Sequence, residues 1–133
     1  MIVRTFFLFV FILLGNLFGK PKPNFVVVLV DDHAFGAISA YGTYLKDFAR
    51  TPAIDRLAQE GMRFDGFTCA NSICSPSRAS ILTGQYSHKN GVTGLNGSIK
   101  GDSPQYPVEL SKAGYQTWLV GKWHLKSQPK GYG

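Results

Sequence analysis

The sequence predicts an α/β fold, with a mostly parallel central sheet and helices on both of its faces. The first observation is the run Asn24-Phe25-Val26-Val27-Val28-Leu29-Val30, which is apolar and β-branched without polar alternation. Such a run is typical of a strand buried on both faces, as in a parallel sheet covered by helices. The second observation is that charged residues directly follow the predicted strands, at the carboxyl edge where open α/β folds bind ligands.

The next elements follow from local patterns. Residues 34–50 form a predicted loop, and a helix is predicted from Thr51 to Gly61. Thr51 can cap this helix, Pro52 suits its first turn and Gly61 ends it. Its predicted apolar face consists of Ile54, Leu57 and Ala58. Residues 62–68 alternate enough to predict a strand that leads into the cysteine segment.

The second half of the chain predicts two helices and one strand. A helix begins at about Pro76, because a Ser-Pro pair is a good helix start, and it ends at Gly84. Residues 85–101 are rich in Gly, Ser, Asn and Lys, so they are predicted to form a loop. A helix from about Pro107 to Ala113 and a strand at 115–120 complete the pattern.

Cys74 and Arg78 form the first candidate site. In this prediction Cys74 lies at the positive end of the helix that starts at about Pro76, where free backbone N–H groups face an anion. Arg78 follows four residues later and projects near the same side. A sulfur, a guanidinium and a helix N-terminus together suit a tetrahedral oxyanion. The alternative is a buried structural cysteine and a solvated arginine.

Asp31 and Asp32 form a candidate metal site directly after the first predicted strand. Two converging carboxylates repel each other unless a cation neutralises them, and oxygen ligands suit Ca²⁺ or Mg²⁺. The alternative is a loop aspartate followed by a helix-capping aspartate. His33 is predicted to be a surface loop residue.

Lys122 and His124 follow the last predicted strand. In extended geometry they project to one side and Trp123 packs on the other. They add a fixed cation and a titratable group to the same carboxyl edge. By contrast, His88 is predicted to be a solvated loop residue.

Two motifs resemble the signatures of a known family. The stretch Cys74-Ser75-Pro76-Ser77-Arg78-Ala79-Ser80-Ile81-Leu82-Thr83-Gly84 resembles, position for position, the signature of the formylglycine-dependent sulfatases of the alkaline phosphatase-like superfamily. The segment Gly114-Tyr115-Gln116-Thr117, followed by Lys122-Trp123-His124, resembles the second signature of that family. The resemblance covers about residues 24–125 and implies the alkaline phosphatase-like form of the α/β fold.

The resemblance implies a sulfuric ester hydrolase in which Cys74 is oxidised to formylglycine, whose hydrate is the nucleophile. It implies that Asp31, Asp32 and the modified Cys74 bind Ca²⁺ rather than Mg²⁺. Lys122 would hold the sulfate, beside Arg78, and His124 would contact the nucleophile. The implied partners are a sulfated small molecule or glycan and a formylglycine-generating maturation enzyme.

Two other functions remain open at the level of sequence. A phosphonate or phosphate ester hydrolase of the same superfamily shares the metal site and in some cases the modified cysteine. A non-catalytic or truncated relative that binds sulfated glycans is the alternative from another class. The motifs leave open which ester is the substrate.

The chain has 133 residues, whereas the family it resembles has chains several times longer. We therefore expect residues 20–133 to be the N-terminal part of a truncated catalytic domain. The remaining metal ligands and the acid for the leaving group are expected beyond residue 133. On its own, this part of the domain is expected to be inactive.

Residues 1–19 have the layout of a secretory signal peptide, with Arg4 before an apolar run and a small residue, Gly19, at its end. We therefore expect a periplasmic or secreted protein; an uncleaved membrane anchor is the alternative. In an exported protein a Cys69–Cys74 disulfide is a second possibility, and it would exclude modification of Cys74. Under the sulfatase interpretation Cys69 is a buried thiol.

The charge pattern excludes one class of partner. The formal net charge is +6, and a modest positive field favours anionic substrates. The basic residues are scattered singly, without a basic patch interleaved with aromatic residues. Nucleic-acid binding is therefore not expected.

Overall fold

The computed structural model of the chain describes residues 22–132. The predicted signal segment at 1–19 lies outside the described residues. The chain divides between Val30 and Asp31 into two compact units. Across the described residues, every helix is too short or too polar to cross a membrane.

Residues 22–30 are the described part of the first unit, and they form neither a helix nor a strand. The side chains from Phe25 to Val30 are all at least half exposed, from 50% at Leu29 to 87% at Val26. The prediction of a strand buried on both faces is therefore not confirmed. A β-branched run favours extended backbone, but burial also requires neighbouring strands and covering helices.

In the described part of the second unit, from Asp31 onward, all of the regular secondary structure is helical, and most residues lie in turns and loops. Two 3-10 turns precede four α-helices: Phe35–Ala37, Ser39–Tyr41, α1 (Pro52–Glu60), α2 (Cys74–Thr83), α3 (Ser87–Asn90) and α4 (Tyr106–Lys112). Neither 62–68 nor 115–120 is a strand, so no sheet is present within residues 22–132. The helices predicted from Thr51 to Gly61 and from Pro107 to Ala113 are confirmed to within one residue as α1 and α4.

α1 is attached to the preceding 3-10 turn by a carboxylate. Asp55 accepts hydrogen bonds from the Ser39 hydroxyl at 2.6 Å and from the Thr51 hydroxyl at 3.0 Å. The Thr51 side chain was predicted to cap a free N–H at the start of the helix, but it makes no such hydrogen bond. It stabilises the first turn by donating to the Asp55 carboxylate instead. Leu57, predicted to lie on the apolar face, is 67% exposed.

The hydrogen bond from the Ser39 hydroxyl holds the pKa of Asp55 below its ordinary value, partly opposed by desolvation and assisted by Thr51. A lowered pKa in the folded state stabilises the protein above the unfolded-state pKa, and that stabilisation disappears as pH falls through the folded-state pKa. We therefore expect Asp55→Asn to lower Tm at neutral pH and the difference from wild type to shrink in acid.

Thermal unfolding of wild type and Asp55→Asn across a pH series tests this expectation. Asp47→Asn is the matched control, since Asp47 is exposed and makes no hydrogen bond or ion pair within residues 22–132. A difference in Tm between wild type and Asp55→Asn that is the same at every pH would contradict the expectation.

α2 begins at Cys74, two residues before the predicted start. Pro76 is then the third helical residue, where a missing N–H still removes no intrahelical hydrogen bond. The helix ends at Gly84, whose φ of 65° lies in the left-handed region that glycine adopts without steric cost.

α3 lies within the predicted loop 85–101 and was missed because it is a single turn. Asn90 at its end is fully buried and accepts a hydrogen bond from the Val92 backbone N–H at 2.9 Å. Its amide also donates to the Gln85 carbonyl at 2.9 Å. Hydrogen bonds from one buried side chain to neighbouring residues thus stabilise a turn that helix propensity does not predict.

A small apolar core lies beside α2. It consists of the buried residues Ala79, Leu82, Val92, Ile99 and Leu125, with Trp123 packed against them. Ala79 follows Arg78 on α2, and Leu125 follows His124. The core therefore fixes the backbone next to two predicted site residues, which is how packing positions a site.

Candidate active site

Cys74 is presented by a fixed turn at the start of α2. The residue before it, Ile73, is the helix N-cap, and its N–H donates to the Asn71 side-chain oxygen at 3.0 Å. An asparagine that accepts from the backbone two residues later stabilises such a turn. Ser75 and Pro76, which follow Cys74, are buried, whereas Cys74 itself is half-buried. The thiol thus lies at a surface whose backbone is held from both sides.

The Cys74 sulfur contacts one anionic and one cationic side chain. Its Sγ lies 3.9 Å from Asp31 Oδ1 and 3.7 Å from Lys122 Nζ. Both cysteines are free, so the Cys69–Cys74 disulfide is not formed. Cys69 is exposed, which corrects the prediction that it is a buried thiol.

Asp31 connects the other charged residues of the site. Its carboxylate forms an ion pair with Lys122 through Oδ2, and its Oδ1 lies 3.5 Å from Arg78 Nη2. Arg78 Nη1 also donates to the Lys122 backbone carbonyl at 2.5 Å. The side chain of Arg78 is 12% exposed, against 35% for Asp31 and 44% for Lys122. The largely buried Arg78 guanidinium therefore links the segment that contains Asp31 to the segment that contains Lys122.

The charges of this cluster reinforce one another. The hydrogen bond from Lys122 holds the pKa of Asp31 below its ordinary value, partly opposed by desolvation and assisted by Arg78. The same contact raises the pKa of Lys122. At neutral pH one carboxylate therefore faces two cations, and the space around Cys74 Sγ carries an excess of positive charge that attracts an anion.

The segment from Gly121 to His124 reaches α2 through its backbone. Gly121 and His124 have φ values of 101° and 53°, so the segment is not the extended strand end that was predicted. The buried Ser75 hydroxyl donates to the His124 carbonyl at 2.6 Å. The His124 imidazole nitrogen Nδ1 is buried and makes no hydrogen bond within residues 22–132.

Ser75 was not among the predicted site residues, nor was Asn71. We expect Ser75→Ala to lower the free energy of unfolding by about 1 kcal/mol, because the part-buried His124 carbonyl loses its hydrogen-bond donor. We also expect a lower kcat, since the Lys122–His124 segment loses its attachment to α2. The two measurements are denaturant unfolding and steady-state kinetics of the full-length protein.

Ser77→Ala is the matched control for that prediction. Ser77 lies on the same helical turn, but its side chain makes no hydrogen bond within the described part of the chain. Equal effects of the two substitutions on stability and kcat would show that the Ser75–His124 contact has no special role.

The structure places the remaining predicted residues outside the cluster. Asp32 is exposed, with a left-handed φ of 55°, and makes no ion pair or hydrogen bond among residues 22–132. His33 lies in a loop as predicted; it is half-buried, and its Nε2 lies 3.2 Å from the Ala37 carbonyl oxygen. His88 is exposed, as predicted, although it lies on α3.

Asp31 and Asp32 are the candidates for holding a cation. Across residues 22–132, no group of three or more His, Cys, Asp or Glu side chains is arranged to hold a metal ion. The two adjacent carboxylates supply the oxygen ligands that Ca²⁺ prefers, but fewer than the six to eight it takes. Asp31 already attracts two cationic side chains, so its position suits a positive charge. These residues therefore fit part of a calcium shell.

A family model described as Sulfatase matches residues 23–132. N-acetylglucosamine-6-O-sulfatase of Bacteroides thetaiotaomicron is 46% identical over 111 residues, which are 84% of this chain and 19% of that protein. Human N-acetylgalactosamine-6-sulfatase is 38% identical over 126 residues, covering 84% of this chain and 24% of that protein. Human arylsulfatase G is 44% identical over 109 residues, covering 78% of this chain and 20% of that protein.

The chain is also similar to solved structures, among them that of BT4656. The structure of BT4656 in complex with its substrate D-glucosamine-2-N,6-O-disulfate matches with a TM-score of 0.71 and 48% identity. The match covers 77% of this chain and 20% of that chain. The chain therefore spans about a fifth to a quarter of the length of these relatives.

Proposed function

The chain belongs to the sulfatase family, and from that premise we propose that the complete protein hydrolyses a sulfate monoester at Cys74. The observation that carries the proposal is the convergence of Lys122 and Arg78 on Asp31 beside the Cys74 sulfur. These residues are far apart in sequence, since the first is residue 31 and the last is residue 122. Their meeting is a property of the fold and not of one local motif.

The two cations address the main obstacle to the reaction. A sulfate monoester resists attack because its charged oxygens repel nucleophiles, so a site must neutralise that charge. Lys122 Nζ lies 3.7 Å from the sulfur, and Arg78 Nε is buried without an acceptor among residues 22–132. We assign Lys122 and Arg78 to the sulfate oxygens, because an oxyanion there would accept from both groups.

The nucleophile is proposed to be formylglycine made from Cys74 by a maturation enzyme. Its hydrate has two hydroxyl groups. One attacks sulfur as the alcohol leaves; the second loses its proton and expels sulfate, which restores the aldehyde. A serine would also attack sulfur, but it lacks the second hydroxyl that releases the product.

His124 and the metal complete the proposal. The imidazole of His124 has a buried nitrogen with no partner in the described part of the chain, and we assign it to a hydrogen bond with the hydrate. Asp31 and Asp32 would hold Ca²⁺, which supplies positive charge for the sulfate oxygens when bound. In the described residues Lys122 and Arg78 already place positive charge at Asp31.

The proposed substrate is a sulfated sugar. The support is that BT4656 is bound to a sulfated glucosamine and that the relatives include sulfatases of two N-acetylated amino sugars. Parallel assays of a sugar 6-sulfate, an aryl sulfate and an aryl phosphonate on the full-length protein test this proposal. Fastest turnover of the sugar sulfate supports it. Preference for the phosphonate would assign the protein to the other branch of the superfamily.

The predicted sheet and the predicted export belong to the complete protein. We propose that 24–30, 62–68 and 115–120 become strands of a mostly parallel sheet when the other strands of the domain pair with them.

We also propose that residues 1–19 are removed on export to the periplasm or medium. A mature N-terminus near Lys20 is the expected result of N-terminal sequencing, and a retained Met1 would contradict it.

A further inference from the structure

The loop between α3 and α4 carries a chemical feature that the proposed hydrolysis does not use. It contains the pair Asn96-Gly97, and a second Asn-Gly pair, Asn90-Gly91, lies where α3 ends and the loop begins. In an Asn-Gly pair the glycine nitrogen is able to attack the preceding side-chain amide, because glycine has no Cβ to hinder the approach. The structure holds these two pairs in different ways.

The first pair is protected. Asn90 is fully buried, and its amide donates to the Gln85 carbonyl at 2.9 Å and accepts from the Val92 N–H at 2.9 Å. The nucleophile is also held, since the Gly91 N–H donates to the Ser87 carbonyl at 2.9 Å. Ring closure at Asn90 would break all three hydrogen bonds.

The second pair is open. Asn96 is exposed, and its side chain makes no hydrogen bond within residues 22–132. The Gly97 N–H also donates no hydrogen bond in that part of the chain. No hydrogen bond within residues 22–132 therefore keeps the Gly97 nitrogen, which is the nucleophile, from approaching the Asn96 side-chain carbonyl carbon, which is the electrophile.

Packing requires the glycine that makes Asn96 vulnerable. A Cβ at Gly97 would lie 2.8 Å from Val92 Cγ1 and 3.3 Å from Val92 Cα. Val92 is fully buried in the core, so it cannot move aside without cost. The residue that leaves Asn96 unshielded is therefore fixed by the fold.

We propose that Asn96 is a site of spontaneous deamidation. The Gly97 nitrogen attacks the Asn96 side-chain carbonyl carbon and forms a succinimide ring, while the bond to the amide nitrogen breaks and ammonia leaves. Water then opens the ring at either carbonyl, which gives aspartate or isoaspartate. One water is consumed and one ammonia is released, and no oxidant or reductant takes part. The product carries one additional negative charge.

The modification acts on the segment that bears Lys122 and His124. The Gly97 carbonyl accepts from the Lys126 N–H at 3.0 Å, and the Ile99 N–H donates to the Ser127 hydroxyl at 3.4 Å. Isoaspartate inserts one extra carbon into the backbone before Gly97 and displaces that carbonyl. The active-site segment then loses an anchor. This consequence for activity rests on the proposed function, whereas the reaction at Asn96 does not.

Peptide mapping of the aged full-length protein tests the modification. The tryptic peptide Asn90–Lys100 contains both pairs, and its fragment masses locate the change. After incubation at mildly alkaline pH we expect at least about tenfold more conversion at Asn96 than at Asn90, because Asn90 reacts only after local opening. In denaturant the two rates should be comparable. Equal rates in the folded protein, or an unchanged Asn96, would overturn the proposal.

A glycan would also overturn it. Asn96-Gly97-Ser98 has the pattern of an N-glycosylation acceptor, and a carbohydrate mass on Asn96 would show that its amide is blocked.

The variant Asn96→Gly tests the effect on activity. Glycine adopts the φ of 59° found at Asn96 without cost and has no amide to react. We expect the variant to start with wild-type activity and to keep it during incubation, while wild type loses activity in proportion to its isoaspartate content. Equal losses in both would overturn the link to the active site. A full-length protein with no sulfatase activity at the start would refute the proposed function, while the peptide map still decides the chemistry at Asn96.

Discussion

Replacing Cys74 with alanine in the full-length protein is expected to abolish sulfate ester hydrolysis. The sulfur of Cys74 lies beside Lys122 Nζ at 3.7 Å and Asp31 Oδ1 at 3.9 Å, so the charged groups of the site surround this side chain. Alanine leaves them in place but provides nothing to oxidise to formylglycine. Loss of a covalent nucleophile lowers kcat by a factor of about 10⁴–10⁶.

The control for this variant is Cys69→Ala. Cys69 is the other free cysteine and is exposed, so its replacement should leave kcat and KM near wild type. Both variants should unfold at nearly the same temperature as the parent, since neither thiol is fully buried. Hydrolysis by Cys74→Ala at the wild-type rate would refute the proposed mechanism.

Lys122→Ala is expected to have the second largest effect. The Lys122 ammonium contacts the Cys74 sulfur and pairs with Asp31, and no other lysine does so in the described part of the chain. Removal of a charged donor aimed at the reacting oxyanion lowers kcat/KM by a factor of about 10²–10³. Steady-state kinetics with a sulfated sugar measures this loss.

Lys126→Ala is the matched control. Lys126 lies four residues later in the same segment; its side chain is exposed, and its backbone N–H donates to the Gly97 carbonyl at 3.0 Å. Its substitution preserves that contact and should leave kcat/KM within about twofold of wild type, as surface substitutions usually do. Similar losses in Lys122→Ala and Lys126→Ala would indicate a general effect of net charge and would contradict the assignment of Lys122.

Local patterns and the family resemblance together singled out several residues that the structure brings near one another. Cys74 and Arg78 lie four residues apart, so one helical turn brings them to the same side. Lys122 follows a segment whose pattern resembles the second family signature. The structure joins these three residues through Asp31, which was predicted only as a metal ligand. The ion pairs of Asp31 with Lys122 and Arg78 depend on residues far apart in sequence, and no local pattern predicts them.

The residues that position the site were missed for a similar reason. Ser75 donates to a carbonyl 49 residues later in the chain, and its sequence context predicts only a helix start. Asn71 had a recognisable signal, because an asparagine two residues before a helix N-cap commonly accepts a hydrogen bond from that residue. The one-turn helix α3 depends on the buried side chain of Asn90, which composition alone identifies as a loop residue.

The predicted sheet illustrates the limit of local pattern. The apolar run at Phe25–Val30 is at least half exposed, although its composition is that of a buried strand. β-propensity describes how well a residue fits a pleated, covered surface, and that surface comes from other parts of a domain. The chain spans about a fifth of the length of BT4656, whose structure it matches with a TM-score of 0.71. In the proposed complete domain, the additional strands and helices would cover this run.

The mass of the tryptic peptide Phe64–Arg78 from the mature full-length protein tests the central claim most directly. This peptide contains both cysteines and ends at Arg78. We predict that active protein yields the peptide with an aldehyde at position 74 and one thiol, at Cys69, that accepts an alkylating reagent. Fully active protein whose peptide carries two free thiols, or a disulfide between them, would contradict the proposed function of Cys74.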